Sequence, residues 1–66
     1  MNNAQTILKH YMQIRMINAK QLAELTGFHH NTVLAWVNGK NEPNFFNVMT
    51  CLNAMGYELK IEVKND

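Results

Sequence analysis

Two short helical periods pinched around one glycine, Asn18 to Asn38 (NAKQLAELTGFHHNTVLAWVN), constrain this chain more than any other stretch. Leu22, Ala23 and Leu25 recur on a helical spacing, Gly27 interrupts it, and Val33, Trp36 and Val37 resume it a few residues later. The pattern predicts helix, turn, helix. Asn18 can cap the first helix, with Gln21 three residues on to answer its backbone N–H, a capping box with Asn in place of Ser or Thr. Gly27 falls where the chain needs a positive φ, which glycine adopts without a Cβ penalty. Ala23 lies inside the angle between the helices, where a longer side chain would push them apart, and Asn38-Gly39 closes the second helix. An ordinary αα-corner has the same spacing, so spacing alone leaves the purpose of this corner open.

The flanks supply the rest of a small core. At 66 residues the chain allows one domain, 1–66, and a chain of this size buries only about 60% of its unfolded surface, so help from a partner is expected. Asn2 with Gln5 repeats the Asn-x-x-Gln arrangement, and Ala4, Ile7, Leu8, Tyr11 and Ile14 form an apolar stripe, which predicts a helix over about 3–15. Ile17 can staple the start of the next helix, about 19–26, and a third follows over about 30–38. Pro43 and the cap Asn44 open a fourth, about 45–55, with Phe45, Val48, Cys51, Leu52 and Met55 on one face and Gly56 at its end. Trp36 is expected in the core, joined by Phe28, Phe45 and Tyr11.

After Gly56 the period changes. Tyr57, Leu59, Ile61 and Val63 alternate with Glu58, Lys60, Glu62 and Lys64, the pattern of a half-buried strand over about 57–63. No second strand is visible to pair with it, and a solitary strand leaves its backbone N–H and C=O groups open. Pairing with the same strand of another subunit satisfies them, so Tyr57, Leu59, Ile61 and Val63 are expected to form a homodimer interface. A frayed or helix-continuing tail is the other reading of this segment.

The run LAELTGFHHNTVLAWVNGKNEP resembles the helix-turn-helix of the lambda-repressor-like family, which includes phage repressors, Cro proteins and antitoxins of the HipB and HigA kind. The residues that carry the resemblance are Leu22, Ala23, Gly27, Phe28, Val33, Trp36, Asn38, Gly39, Lys40 and Pro43, and it extends from about Tyr11 to Leu59. It implies a mostly α, four-helix lambda-repressor-like DNA-binding domain. With the alternating tail, the expected fold carries a C-terminal β-strand pairing across a dimer, an arrangement similar to the HipB-like branch.

In a helix-turn-helix the first turn of the second helix meets base edges in the major groove, and the same face returns one turn later. Here that face is His29, His30, Asn31, Leu34 and Ala35. Asn31 is the best candidate for a base contact, because its amide can give and accept together to adenine. His30 can donate to guanine or bond a phosphate, while Leu34 and Ala35 can at most pack against a thymine methyl. The family often carries Gln, Arg or Ser at these positions, so the operator sequence stays open. Lys20, Gln21, Asn38 and Lys40 are the candidate phosphate contacts. Each lysine is equally readable as an ordinary solvated side chain. Tighter binding is expected as falling pH charges the two histidines.

A net charge of +1 is small for a nucleic-acid binder, so phosphate affinity has to come from where the charges sit and from helix-end N–H groups. The composition, 47% hydrophobic with 17% charged, suits a folded globule rather than a disordered segment. One cysteine, Cys51, cannot form an internal disulfide and falls in an apolar helix pattern, as a small core residue in a reducing cytoplasm would. No signal peptide or membrane-spanning run is visible, which points to a soluble cytoplasmic protein. Adjacent His29 and His30 face different sides of a helix and cannot chelate one metal together, and no catalytic triad, carboxylate pair or phosphate loop is present. No metal, cofactor or enzymatic activity is expected. The expected function is a sequence-specific regulator, a repressor that binds a near-palindromic operator as a homodimer. The rivals are an antitoxin with a cognate toxin as partner, and a protein-binding module on a degenerate helix-turn-helix.

Overall fold

The computed structural model of the protein describes residues 3–58. Four helices fill that span: α1 (Ala4–Arg15), α2 (Ala19–Thr26), α3 (His30–Val37) and α4 (Phe45–Ala54). Each start is set by a side chain that accepts one of the orphan N–H groups of the first turn. Asn18 makes the expected capping box, accepting from the Gln21 N–H at 2.8 Å while Gln21 Oε1 accepts from the Asn18 N–H at 2.9 Å. Asn44 caps α4 by accepting from the Asn47 N–H at 2.8 Å, and Pro43 before it is buried.

The start of α1 departs from the expected pairing. Asn3 is the cap, accepting from the Thr6 N–H at 2.8 Å, and Asn2 lies outside the described residues. That register places Gln5 one position short of reciprocating. Its amide reaches the carbonyl of Val37 instead, 3.0 Å away and 32 residues on, and so ties α1 to the end of α3.

The ends follow the glycines, with one exception. Gly27 closes α2 at φ 85°, its N–H donating to the Ala23 carbonyl at 2.8 Å. Helix α1 closes without a glycine: Met16 itself takes φ 56°, and the Ile17 N–H reaches the Met12 carbonyl at 3.0 Å. A left-handed conformation costs a residue with a Cβ about 1 kcal/mol or more, so this closure carries a small strain.

All four helices contribute to one core. Leu8 and Met12 come from α1; Ala19, Leu22 and Ala23 from α2; Val33 and Trp36 from α3; and Val48, Cys51 and Leu52 from α4, with Met55 just beyond it. Leu8, Leu22 and Val33 have no exposed surface, and burying each of them contributes roughly 1.5–3 kcal/mol. Trp36 packs edge-on to Phe28 with ring centroids 5.1 Å apart, and α2 packs chiefly on α3, as an indole anchoring the corner requires.

Three apolar residues expected inside lie outside. Ile14 is 54% exposed, because the inward arc of α1 runs through Leu8 to Met12, four residues apart, and leaves Ile14 off its edge. Leu25 points away from the arc of Leu22 and Ala23, and Phe45, at the first position of α4, is about half exposed rather than buried with Trp36.

Among the described residues no strand is present. The expected strand at about 57–63 begins with Tyr57 and Glu58, which follow the end of α4, while Leu59, Ile61 and Val63 lie outside the described residues. Tyr57 packs within its own chain: its ring lies 4.6 Å from that of Tyr11, with the Arg15 guanidinium 4.9 Å over it. No helix among the described residues is long and apolar enough to cross a membrane.

Candidate nucleic-acid interface

Helix α3 buries one side and offers the other. Val33 and Trp36 are buried and Val37 is half-buried. At about 100° per residue, Asn31, Ala35 and Asn38 fall opposite that buried side, with His30 and Leu34 on one flank and Thr32 on the other. His29, His30, Asn31, Thr32 and Asn38 are exposed, Leu34 is 38% exposed, and Ala35 is half-buried. The outward face therefore carries one amide at its centre, a second a turn or two on, and imidazoles at the start. Thr32 was not among the expected contacts. Its hydroxyl, one position beyond Asn31, was legible only as a flank of the same turn.

His29 does not belong to the helix proper. It is the N-cap of α3, and its Nδ1 accepts from the Asn31 N–H at 3.1 Å. An imidazole nitrogen accepts only when it carries no proton, so His29 does this in the Nε2–H form. Its Nε2–H remains available to face a ligand, and His30 is the histidine free of capping. The first turns of α2 and α3 contain no acidic residue, which leaves the positive ends of both helices uncompensated and suited to an anion.

Lys20, Glu24, His29 and His30 share one shallow depression with Ala23, Gly27 and Phe28. The corner thus brings together a lysine from the start of α2 and both histidines. It also brings Glu24, which the sequence reading did not single out and which opposes an anion there. Its position four residues after Lys20 was the available signal. Gln21 is exposed, but its Oε1 is held by the Asn18 N–H, so a phosphate can be met only by its Nε2.

Asn38 and Lys40 lie at the other end of α3, about 12 Å along an eight-residue helix. The Lys40 N–H closes the helix on the Ala35 carbonyl at 2.9 Å, with Gly39 at φ 79° between them. A Cβ at Gly39 would stand 3.0 Å from the Gln5 amide. Gln5 therefore braces the turn that presents Lys40, a role sequence reasoning missed because the contact spans the whole corner. Tyr57 lies apart from this face, against α1.

In a comparison with protein families, the helix-turn-helix family model matches residues 8–61, most of the chain. The chain belongs to the XRE-type, lambda-repressor-like helix-turn-helix family. No curated protein and no solved structure matches it. Membership makes the chain a DNA-binding regulator of the XRE type, and the matched span contains α2, α3 and the Gly39-Lys40 turn. Among the described residues no group of three or more His, Cys, Asp or Glu stands together. The cysteine of this family member is buried, and burial pushes the Cys51 thiol up to about 11.

Proposed function

We propose that the protein is a transcriptional repressor that binds a near-palindromic operator as a homodimer, placing two copies of α3 in successive major grooves about 34 Å apart. The observation that carries this reading is the outward face of α3. Asn31 stands exposed at its centre, opposite buried Val33 and Trp36, with Lys20 at one end of the face and Lys40 at the other. Asn31 reads a base, His30 and Thr32 add donors beside it, His29 reaches out through Nε2, and Leu34 and Ala35 offer only apolar contact. Lys20, Gln21 through Nε2, Asn38 and Lys40 position the helix on phosphates. Occupancy of an operator that overlaps a promoter then blocks transcription sterically.

The test is fluorescence anisotropy of the native protein and an Asn31→Ala variant on duplexes from upstream of its own gene. The variant should lose about 1–3 kcal/mol on the operator and little on random duplex. Equal affinity of the native protein for both duplexes would refute sequence-specific repression.

A second reading rests on Phe45 and Phe46, two adjacent rings that are 48% and 75% exposed on α4. Exposed aromatics of this size suit a protein partner, as an antitoxin has in its toxin. A product of a neighbouring gene that co-purifies with the native chain, and is lost with Phe46→Ser, would favour that role.

A further inference from the structure

From His30 to Asn38, helix α3 and its cap carry no Lys, Arg, Asp or Glu. The helix therefore lacks the guanidinium or ammonium that reads guanine through O6 and N7, and the carboxylate that accepts from the cytosine N4 amino group. Glu24 stands on α2, in the depression that holds His29 and His30 at the start of α3. What α3 presents outward is one amide, Asn31, with exposed Leu34 three residues on and half-buried Ala35 four residues on. Residues at these spacings are neighbours on a helix surface, about 5–6 Å apart between Cβ atoms. Leu34 is 38% exposed, and it belongs neither to the core nor to the half-buried shell packed against it.

We propose that the DNA read by this helix is a half-site centred on A·T pairs, in which Asn31 reads an adenine and Leu34 and Ala35 cover the C5-methyl groups of thymines beside it. The proposal rests on the reading of α3 as the recognition helix and names its ligand. The chemistry of the base edges supports it. An amide donates to adenine N7 and accepts from the N6 amino group at once. Leucine and alanine have no hydrogen bond to offer, and thymine alone among the four bases shows an apolar group in the major groove, its methyl. Cytosine has a hydrogen at that place, so the contact is lost and Leu34 is left against polar edges. Thr32 can give or accept and adds no preference. His30 offers guanine one donor in place of a bidentate pair, which does not outweigh the A·T preference of the face.

The spacing agrees with this assignment. Leu34 and Ala35 lie about 4.5 and 6 Å beyond Asn31 along the helix axis, against about 3.4 Å per base along a DNA strand. The methyl groups then fall one or two base pairs from the adenine, within a single half-site.

The experiment begins with selection from a pool of random duplexes on the full native chain, and continues with single-base replacements in the selected site. The enriched half-site should have A·T pairs as its most restrictive positions. Deoxyuridine in place of thymine removes one methyl and leaves base pairing unchanged. At one or two positions per half-site it should weaken binding about fourfold in anisotropy titrations, the effect of one buried methyl. Leu34→Ala should lose about as much on the selected site, and should no longer distinguish thymine from deoxyuridine at the position Leu34 covers. Because Leu34 lies outside the core, the variant should keep the native helical circular dichroism spectrum. At the same position a pair of guanine with 5-methylcytosine should bind about fourfold better than guanine with cytosine, since it restores the methyl. That comparison separates methyl readout from an A·T preference exerted through groove shape, which a methyl on cytosine would not restore. A selected site built on G·C pairs, or one in which every deoxyuridine is neutral, would overturn the inference while sequence-specific binding stands. A pool that shows no enrichment would overturn the reading of α3 as a recognition helix, and the inference with it.

Discussion

His29 caps α3 with an imidazole nitrogen where the other three helices use an asparagine oxygen. The cap holds the Asn31 N–H, and so fixes the turn that carries the proposed base contacts. His29→Ala should therefore lower stability by about 1 kcal/mol, or roughly 4–8 °C in a thermal melt. His29→Asn, which restores an oxygen acceptor, should recover most of it. Cys51 gives an alkaline prediction. Its folded value, near 11, lies above the ordinary 9.0 because burial disfavours the thiolate. The folded state then holds its proton more tightly than the unfolded state, so stability is unaffected below about 9 and falls as pH rises from there toward 11. Cys51→Ala should flatten that alkaline limb in denaturant titrations followed from pH 8 upward, and the native thiol should resist alkylation at pH 8 until the chain is unfolded.

At the scale of the helices, the signals that act within a few residues were the legible ones. The Asn18–Gln21 box, the Asn44 cap and the left-handed Gly27 each work across no more than four positions, and each falls where the sequence places it. Periodicity told which residues are apolar at helical spacing, but not which of two overlapping arcs is buried. On α1 packing chose Met12 over Ile14, and on α4 it left Phe45 at the rim. Likewise, the outward face of α3 was visible in the chain because the buried pair Val33 and Trp36 defines its opposite. The His29 cap is just as local, two residues from Asn31, but imidazole is not among the usual capping side chains; Glu24 shares its depression with the two histidines only through the way α2 and α3 meet. Gln5 is the furthest from local logic, since its partner lies 32 residues on. Gln5→Ala should cost about 1 kcal/mol by leaving the half-buried Val37 carbonyl without its donor. Gly39→Ala should cost more, since it places a Cβ at φ 79° and against the Gln5 amide. Both should also weaken operator binding, because the turn they loosen presents Lys40. A variant that loses stability in urea titrations yet binds at full affinity would separate the brace from the interface.

Over the whole molecule, a net charge of +1 leaves little general attraction for DNA, so affinity depends on how the few cations are placed. The fold puts Lys20 and Lys40 at opposite ends of α3 and puts Glu24 beside the first of them. A dimer that engages both lysines on each protomer neutralises four phosphates. Each phosphate contributes a slope of about −0.9 to the dependence of log affinity on log salt, which sums to between −3 and −4. Raising salt from about 50 to 200 mM should therefore weaken operator binding roughly a hundredfold. Lys40→Ala removes two of the four contacts and should reduce the slope by about 2, weakening operator and random duplex alike, since phosphates carry no sequence. Glu24→Gln should act in the opposite sense on affinity, tightening both complexes a few-fold at low salt by removing a like charge from the rim. These signs differ from the effect of Asn31→Ala, which should leave the salt slope unchanged and lose affinity on the operator alone. Anisotropy titrations of the three variants across salt decide the matter: a Lys40→Ala slope equal to the native one would take the Gly39-Lys40 turn off the DNA backbone. In the proposed repressor, binding would then rest on α3 and the start of α2 alone.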